Sequence, residues 1–152
     1  IIQSPLGIIV IVLLVPLAEE VVFRGAMLHR LLDVSAEDTT KKTSPILPIA
    51  FTALCFGIIH GNMEQAFHAT LLGVLLGWIY YKYSSILPGV IFHITNNGTS
   101  WIMTTVFPEK EDATLLELFN NNSPLMYTAL ALSVAVFLCC MIKSPAAQTA
   151  KD

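Results

Sequence analysis

Five stretches of the chain contain no Asp, Glu, Lys or Arg, and each approaches or exceeds the length of a membrane-spanning helix. Hydrophobic residues make up 55% of the 152 residues and charged residues 12%, about half the ~25% of soluble domains. Five such helices would leave a soluble domain too little polar surface to cover them. The sequence therefore predicts an all-α, polytopic transmembrane helical bundle with about five membrane segments. The uncharged stretches are 1–18, 43–63, 65–81, 83–108 and 118–142.

The distribution of basic residues predicts a topology. Apart from Arg24, which lies inside a predicted membrane segment, six Lys and Arg residues fall on one side of the bundle and only Lys110 on the other. The side with loop 33–45 and the C-terminal tail should therefore be cytoplasmic. The net charge of −3 and the lack of a basic stripe give no indication of nucleic-acid binding. The six residues are Arg30, Lys41, Lys42, Lys82, Lys143 and Lys151.

Helix boundaries follow from the apolar runs and their prolines. We expect a first segment to about Leu32, with Pro16 as a kink or helix start, then a polar loop at 33–44. Further helices should cover 46–61, 64–83, 86–106 and 125–142. Residues 1–143 would form one transmembrane domain with a motif-bearing core at 16–98, followed by a disordered polar tail at 144–152. Ala69, Gly73 and Gly77 form a small-xxx-small stripe that favours close packing of the third helix.

The motif Glu19-Glu20-x-x-x-Arg24 lies at the end of the first apolar run. An acidic or basic residue in the middle of a membrane helix costs roughly 2.5–3.5 kcal/mol, so three this close together need partners. Glu20 and Arg24 are i,i+4 neighbours in the favourable order and can form an ion pair. Glu19 lies about 100° from Glu20 around the helix, so the pairing of Glu20 with Arg24 leaves Glu19 without a partner on this helix. Glu19 is therefore a candidate general base.

Two further motifs place polar groups on other helices. Phe56-x-x-x-His60 and His93-x-x-x-Asn97 each put two side chains on one helix face. A straight count places His60 and His93 near opposite membrane faces, so their convergence requires tilted, kinked or displaced helices. If they converge, a carboxylate, two imidazoles and an amide would form a hydrolytic site. His68 is expected to tune such a site without acting in it.

The three motifs, in this order and on separate predicted helices, resemble the signature of the CPBP intramembrane proteases, also called CAAX proteases and bacteriocin-processing enzymes. The resemblance covers about residues 16–98. It implies an endopeptidase that uses a Glu-activated water to hydrolyse a peptide bond in a membrane-associated substrate, either a CAAX-type prenylated protein or a peptide. It assigns Glu19 as the base, His60 and His93 to water positioning or charge stabilisation, and Asn97 as the oxyanion donor. Glu20 and Arg24 would support the site structurally.

The sequence leaves two questions open. Glu19, His60 and His93 are also a candidate His₂Glu set for a divalent metal, with Zn²⁺ the first choice, so a metal mechanism and a metal-free glutamate mechanism both remain. The same bundle could also be a non-catalytic immunity or scaffold protein, or a proton-coupled transporter. A proton relay would spread its groups through the membrane, whereas a protease would gather them in one place.

Overall fold

The computed structural model describes residues 4–37, 44–106, 117, 121–128 and 131–132, and these residues contain helices and no strands. Helix α1 is continuous through five consecutive segments. It is α-helical at Pro5–Ile9, Val15–Glu20 and His29–Glu37, and π-helical at Val10–Leu14 and Val21–Leu28. Helices α2, α3 and α4 cover Ile46–Ile58, Met63–Tyr83 and Leu87–Val106. The chain is all-helical, as predicted, within these residues.

Helix α1 is longer than the sequence predicted, because it continues past Leu32 to Glu37. His29 Nε2 lies 3.5 Å from a carboxylate oxygen of Asp33 one turn later, a contact that supports the additional turns. The helix also passes through Pro16 without ending. The π-helical segment immediately before Pro16 is a feature that apolar periodicity could not indicate.

Helix α2 begins at Ile46, as predicted from Pro45 and Pro48, but it ends at Ile58 and not at Gly61. The backbone N–H of His60 donates to the Gly57 carbonyl at 3.1 Å, which tightens the last turn, and Gly61 has a φ of +81°. Asn62 then caps α3, its Oδ1 accepting from the backbone N–H of Gln65 at 2.8 Å. His60 therefore lies in a tight turn beyond the helix.

Helices α2 and α3 pack antiparallel through the predicted small-residue stripe. A Cβ on Gly73 would lie 2.9 Å from Ala53 Cα, and one on Gly77 would lie 3.1 Å from Ile49 Cγ2. The contact residues on α2 thus decrease in residue number, from Ala53 to Ile49, as those on α3 increase from Gly73 to Gly77. Ala69, the third stripe residue, belongs to a buried cluster with Phe23 and Phe56. The stripe therefore makes the helix contact that was predicted for it.

Among the described residues, one helix is long and apolar enough to cross a membrane, at Pro5–Ala36, and Ile46–Ile58 is a shorter apolar helix. The predicted count of about five membrane segments is therefore not confirmed. The stretch 123–128 is helical, but most of the predicted segment 125–142 lies outside the described residues, as do residues 38–43 and the tail at 144–152. The cytoplasmic assignment of loop 33–45 and the tail stays a prediction.

The described residues fall into two compact units, one reaching Asn97 and the other beginning at Gly98. All residues of the three motifs lie in the first unit. The proposal of a single transmembrane domain over 1–143 stays a prediction.

Candidate active site

Glu20, the second carboxylate of the first motif, is fully buried and forms the predicted ion pair. Its Oε1 accepts a hydrogen bond from Arg24 Nη1 at 2.7 Å. Arg24 Nη2 donates to the Gly73 carbonyl of α3 at 3.1 Å, and its guanidinium carbon lies 4.7 Å from the centroid of the Phe56 ring. The i,i+4 pair on α1 is therefore also in contact with α2 and α3.

His93 lies between the two adjacent carboxylates. Its Nδ1 is 3.1 Å from Glu20 Oε1, and its Nε2 is 3.6 Å from Glu19 Oε2. Because the ion-paired Glu20 carboxylate can only accept a hydrogen bond, Nδ1 is the donor and carries a proton. The ring nitrogen that faces Glu19 is then Nε2. Gly89 allows α4 to approach this closely, since a Cβ there would lie 3.0 Å from Glu20 Oε2.

The two glutamate side chains differ in exposure. The Glu19 side chain is 19% exposed, whereas that of Glu20 is 0% exposed. The distance of 3.6 Å from Glu19 to His93 is longer than a direct hydrogen bond. Glu19 also lies within electrostatic range of the His60 imidazole. Glu19 is thus the carboxylate with room for another polar group beside it.

Phe56 joins the second motif to the other two. Its side chain is fully buried, and its ring lies edge-on to those of His60 and His93, with centroid distances of 4.9 and 5.7 Å. The His60 Nδ1 lies 2.8 Å from the Phe56 backbone carbonyl oxygen. A carbonyl oxygen only accepts, so Nδ1 donates there and Nε2 of His60 is left for another partner. Both imidazoles therefore contact one aromatic ring.

Asn97 makes a contact that the sequence did not indicate. Its Nδ2 donates to the backbone carbonyl of Ile11 on α1 at 3.3 Å, and its Oδ1 accepts from Asn96 Nδ2 at 3.4 Å. The amide has a second N–H, because each Asn side chain carries two donor hydrogens. Asn97 therefore connects α4 to α1 one helical turn away from His93.

The metal-ligand set suggested by the sequence does not have the geometry of a metal site. Within the described part of the chain, no group of three or more His, Cys, Asp or Glu side chains could hold a metal ion. The Nδ1 atoms of His60 and His93 contact a backbone carbonyl and Glu20 respectively, an arrangement that metal-ligating histidines also have, so these contacts do not decide between the two mechanisms. We derive no step through a metal, and metal dependence stays a prediction.

Sequence reasoning gave no role to three groups at this site: the Phe56 ring, the Gly73 carbonyl and the Ile11 carbonyl. The i,i+4 spacing places the Phe56 ring on one helix face with His60, but it does not indicate the contacts of this ring with Arg24 and His93. The Ile11 carbonyl lies five residues before Pro16, and a proline has no backbone N–H to donate. No local signal identifies Gly73 as the acceptor of a bond from a residue 49 positions away.

The described residues thus form a helical protein in which carboxylate, imidazole, guanidinium and amide side chains are gathered among apolar helices. The model of the type II CAAX prenyl endopeptidase Rce1-like family matches residues 1–99, and the chain belongs to this family. The match starts earlier than the resemblance at 16–98 and so also includes residues 1–15, where α1 begins. The family is membrane-embedded and its membership implies a protease. No curated protein and no solved structure matches the chain.

Proposed function

We propose that this protein is an intramembrane endopeptidase that hydrolyses a peptide bond in a membrane-associated, CAAX-type prenylated protein or peptide. The observation that carries the proposal is the gathering of polar groups from three motifs in one place. His93 lies between Glu19 and Glu20, and Phe56 contacts both imidazoles. A proton relay would be expected to spread such groups across the membrane.

Glu19 is the general base of the proposed reaction. Its carboxylate accepts a proton from a water molecule while the water oxygen forms a bond to the carbonyl carbon of the substrate. The carbon–nitrogen bond then breaks, and the leaving amine takes the proton back from Glu19. Glu19 suits this role because its side chain is partly exposed and has no cation one turn along α1, unlike Glu20.

The histidines and Asn97 assist at the atoms where charge develops. Glu20 holds His93 with Nδ1 protonated, so that Nε2 faces Glu19 and can accept the second proton of the attacking water in a hydrogen bond. His60 has its Nε2 available for the same region. The second N–H of Asn97 can donate to the oxyanion of the tetrahedral intermediate. Glu20 and Arg24 support the site without touching the substrate.

The surroundings of Glu19 suit a lipid-modified substrate. The apolar side chains of Val15 and Val22, which lie one turn before and one turn after Glu19 on the same face of α1, are 39% and 53% exposed. A hydrocarbon chain of the bilayer or of a prenyl group can lie against these residues without losing favourable contacts. A prenylated peptide can therefore reach Glu19 from the bilayer.

The proposal is tested by cleavage of a panel of matched peptides, prenylated and unprenylated, with purified protein in detergent or vesicles. We expect the parent protein to cleave the prenylated CAAX peptide and the Glu19→Gln protein to cleave it roughly 10²- to 10⁴-fold more slowly. Near-parental cleavage by Glu19→Gln would overturn the mechanism and favour the scaffold or transporter alternatives.

The same assay in the presence of a chelator tests the metal-free version. The metal-free glutamate mechanism predicts that activity survives chelation. Loss of activity on chelation, with recovery on addition of Zn²⁺, would show instead that the enzyme is a metalloprotease.

A further inference from the structure

The backbone of α1 has a change in hydrogen-bond register just before the first motif. In the π-helical segment Val10–Leu14 each bond spans five residues, and the backbone N–H of Val15 accordingly donates to the Val10 carbonyl. In this register the next donor along the chain, the N–H of residue 16, would serve the Ile11 carbonyl. Residue 16 is a proline and has no N–H, so the helix supplies no such donor to Ile11.

A backbone carbonyl without a partner is costly in an apolar environment, and neighbouring helices commonly supply the missing donor near a proline in a membrane helix. Here the donor comes from α4, since the Nδ2 group of Asn97 lies 3.3 Å from the Ile11 carbonyl oxygen. We propose that the Asn97 amide replaces the N–H that Pro16 lacks, and thereby holds α1 against α4.

The position of this contact gives it a consequence for the site. Pro16 lies one turn before Glu19 and Glu20 on α1, and Asn97 lies one turn after His93 on α4. The contact between Asn97 and Ile11 is therefore a neighbour of the contact between His93 and the two carboxylates. Asn97 thus acts as a positioning residue for Glu19 and His93. Its effect on catalysis rests on the proposed function of these two residues, whereas its effect on stability does not.

The test is a double-mutant cycle between Pro16→Ala and Asn97→Ala, read out as unfolding equilibria of the full chain in mixed detergent micelles. Pro16→Ala restores an N–H at residue 16, so the Ile11 carbonyl no longer depends on Asn97. In the parent, Asn97→Ala should raise the unfolding equilibrium constant roughly 5- to 150-fold, as expected for one polar group left without a partner in an apolar environment. In the Pro16→Ala background the effect should fall to about 2-fold or less, the size of ordinary deviations from additivity. Effects of equal size in both backgrounds would overturn the proposal.

Pro88→Ala is the matched control. Pro88 lies in the first turn of α4, where the N–H that it lacks would have no helical partner, so its replacement frees no donor for Ile11. The Pro88→Ala and Asn97→Ala effects should therefore add. If the Asn97→Ala protein does not fold, folding of the Pro16→Ala/Asn97→Ala protein supports the proposal, and failure of the double variant to fold contradicts it.

The positioning role has a kinetic readout that separates it from the oxyanion role. At a temperature where all the proteins are folded, Pro16→Ala should have a lower kcat than the parent, with little change in KM, because Ile11 then has a donor on α1 itself and no longer requires the bond from Asn97 that holds α1 against α4. The Asn97 side chain, and with it the oxyanion donor, is still present in this variant. A parental kcat in the Pro16→Ala protein would therefore contradict the positioning role. The stability cycle needs no substrate, so its result is independent of whether the proposed protease activity is correct.

Discussion

Two faces of α1 carry neighbouring carboxylates in very different surroundings. On one face, Glu20 is fully buried, bonded through Oε1 to Arg24 and His93, and close to Gly89 of α4. On the adjoining face, Glu19 is partly exposed and lies 3.6 Å from the other nitrogen of the same imidazole. Successive residues of a helix point about 100° apart, so one dipeptide can supply both a structural and a reactive carboxylate.

This difference shows how the site separates stability from reactivity. A buried carboxylate that is engaged by a guanidinium and an imidazole keeps its geometry, and its removal leaves the cation uncompensated. A carboxylate with free space beside it can accept a proton from a reacting group. His93 contacts both, so the orientation set on the Glu20 face determines which nitrogen is presented on the Glu19 face.

The largest effect is expected at Glu19. Glu19→Gln keeps the shape of the side chain and removes the proton acceptor, so kcat should fall roughly 10²- to 10⁴-fold. The free energy of unfolding should stay close to that of the parent, since no described cation depends on Glu19 one turn along α1. Steady-state cleavage of a prenylated peptide and detergent unfolding measure the two quantities. A protein that lost stability and activity together would contradict the proposed division between the two carboxylates.

At Glu20 the main effect should be on stability. Glu20→Gln leaves Arg24 as a buried uncompensated charge, which should lower the free energy of unfolding by about 3–5 kcal/mol. The Glu20→Gln/Arg24→Gln protein, in which neither charge remains, should recover part of this loss. Detergent unfolding of the three proteins checks the prediction. If Glu20→Gln were as stable as the parent and lost only activity, the ion pair would have no structural role.

A smaller loss is expected where α2 and α3 are in closest contact. A Cβ on Gly57 would overlap with the Thr70 hydroxyl and lie 2.7 Å from the Ala66 carbonyl oxygen. Gly57→Ala should therefore lower the free energy of unfolding by about 1–3 kcal/mol, as overpacking does. Gly25→Ala is the matched control, because its Cβ would meet nothing closer than 3.7 Å. Equal losses in the two variants would show that packing against α3 is not the cause.

The smallest effect is expected at His68. The side chain is exposed on α3, and surface substitutions typically change free energies by about 0.5 kcal/mol or less. His68→Ala should therefore change kcat by only about 2-fold, which is a free-energy difference of this size. His60→Ala, by contrast, should be about as damaging as Glu19→Gln. A large loss of cleavage in the His68→Ala protein would show that the active site includes His68 as well as the residues of the three motifs.

Much of the fold could be predicted from the sequence because its signals are local. Helices α2, α3 and α4 begin within about two residues of where prolines, polar breaks and apolar runs place them, as is usual for strongly patterned segments. The ion pair of Glu20 and Arg24 is present because i,i+4 spacing brings two side chains together in any helix. The end of α2 was placed too late, since the turn at Gly61 depends on backbone conformation that an apolar run does not reveal.

The sequence analysis placed His60 and His93 near opposite membrane faces because it overestimated the length of α2. Helix α2 has 13 residues, about 20 Å at 1.5 Å per residue, which is less than the ~30 Å of a hydrocarbon core. His60, just beyond its end, need not lie at the far face of the membrane. The predicted difference in membrane depth between His60 and His93 followed from treating α2 as a full membrane span.

The sequence by itself determined that the chain is helical and apolar, that Glu20 pairs with Arg24, and that three motifs carry its polar chemistry. Only the tertiary structure decided that His93 lies between two carboxylates, that Phe56 contacts both imidazoles, and that Asn97 bonds the Ile11 carbonyl. The first group depends on spacing within one helix, which the sequence states directly. The second depends on how helices distant in sequence pack and on the π-helical register of α1, and neither is encoded in the periodicity of any single segment.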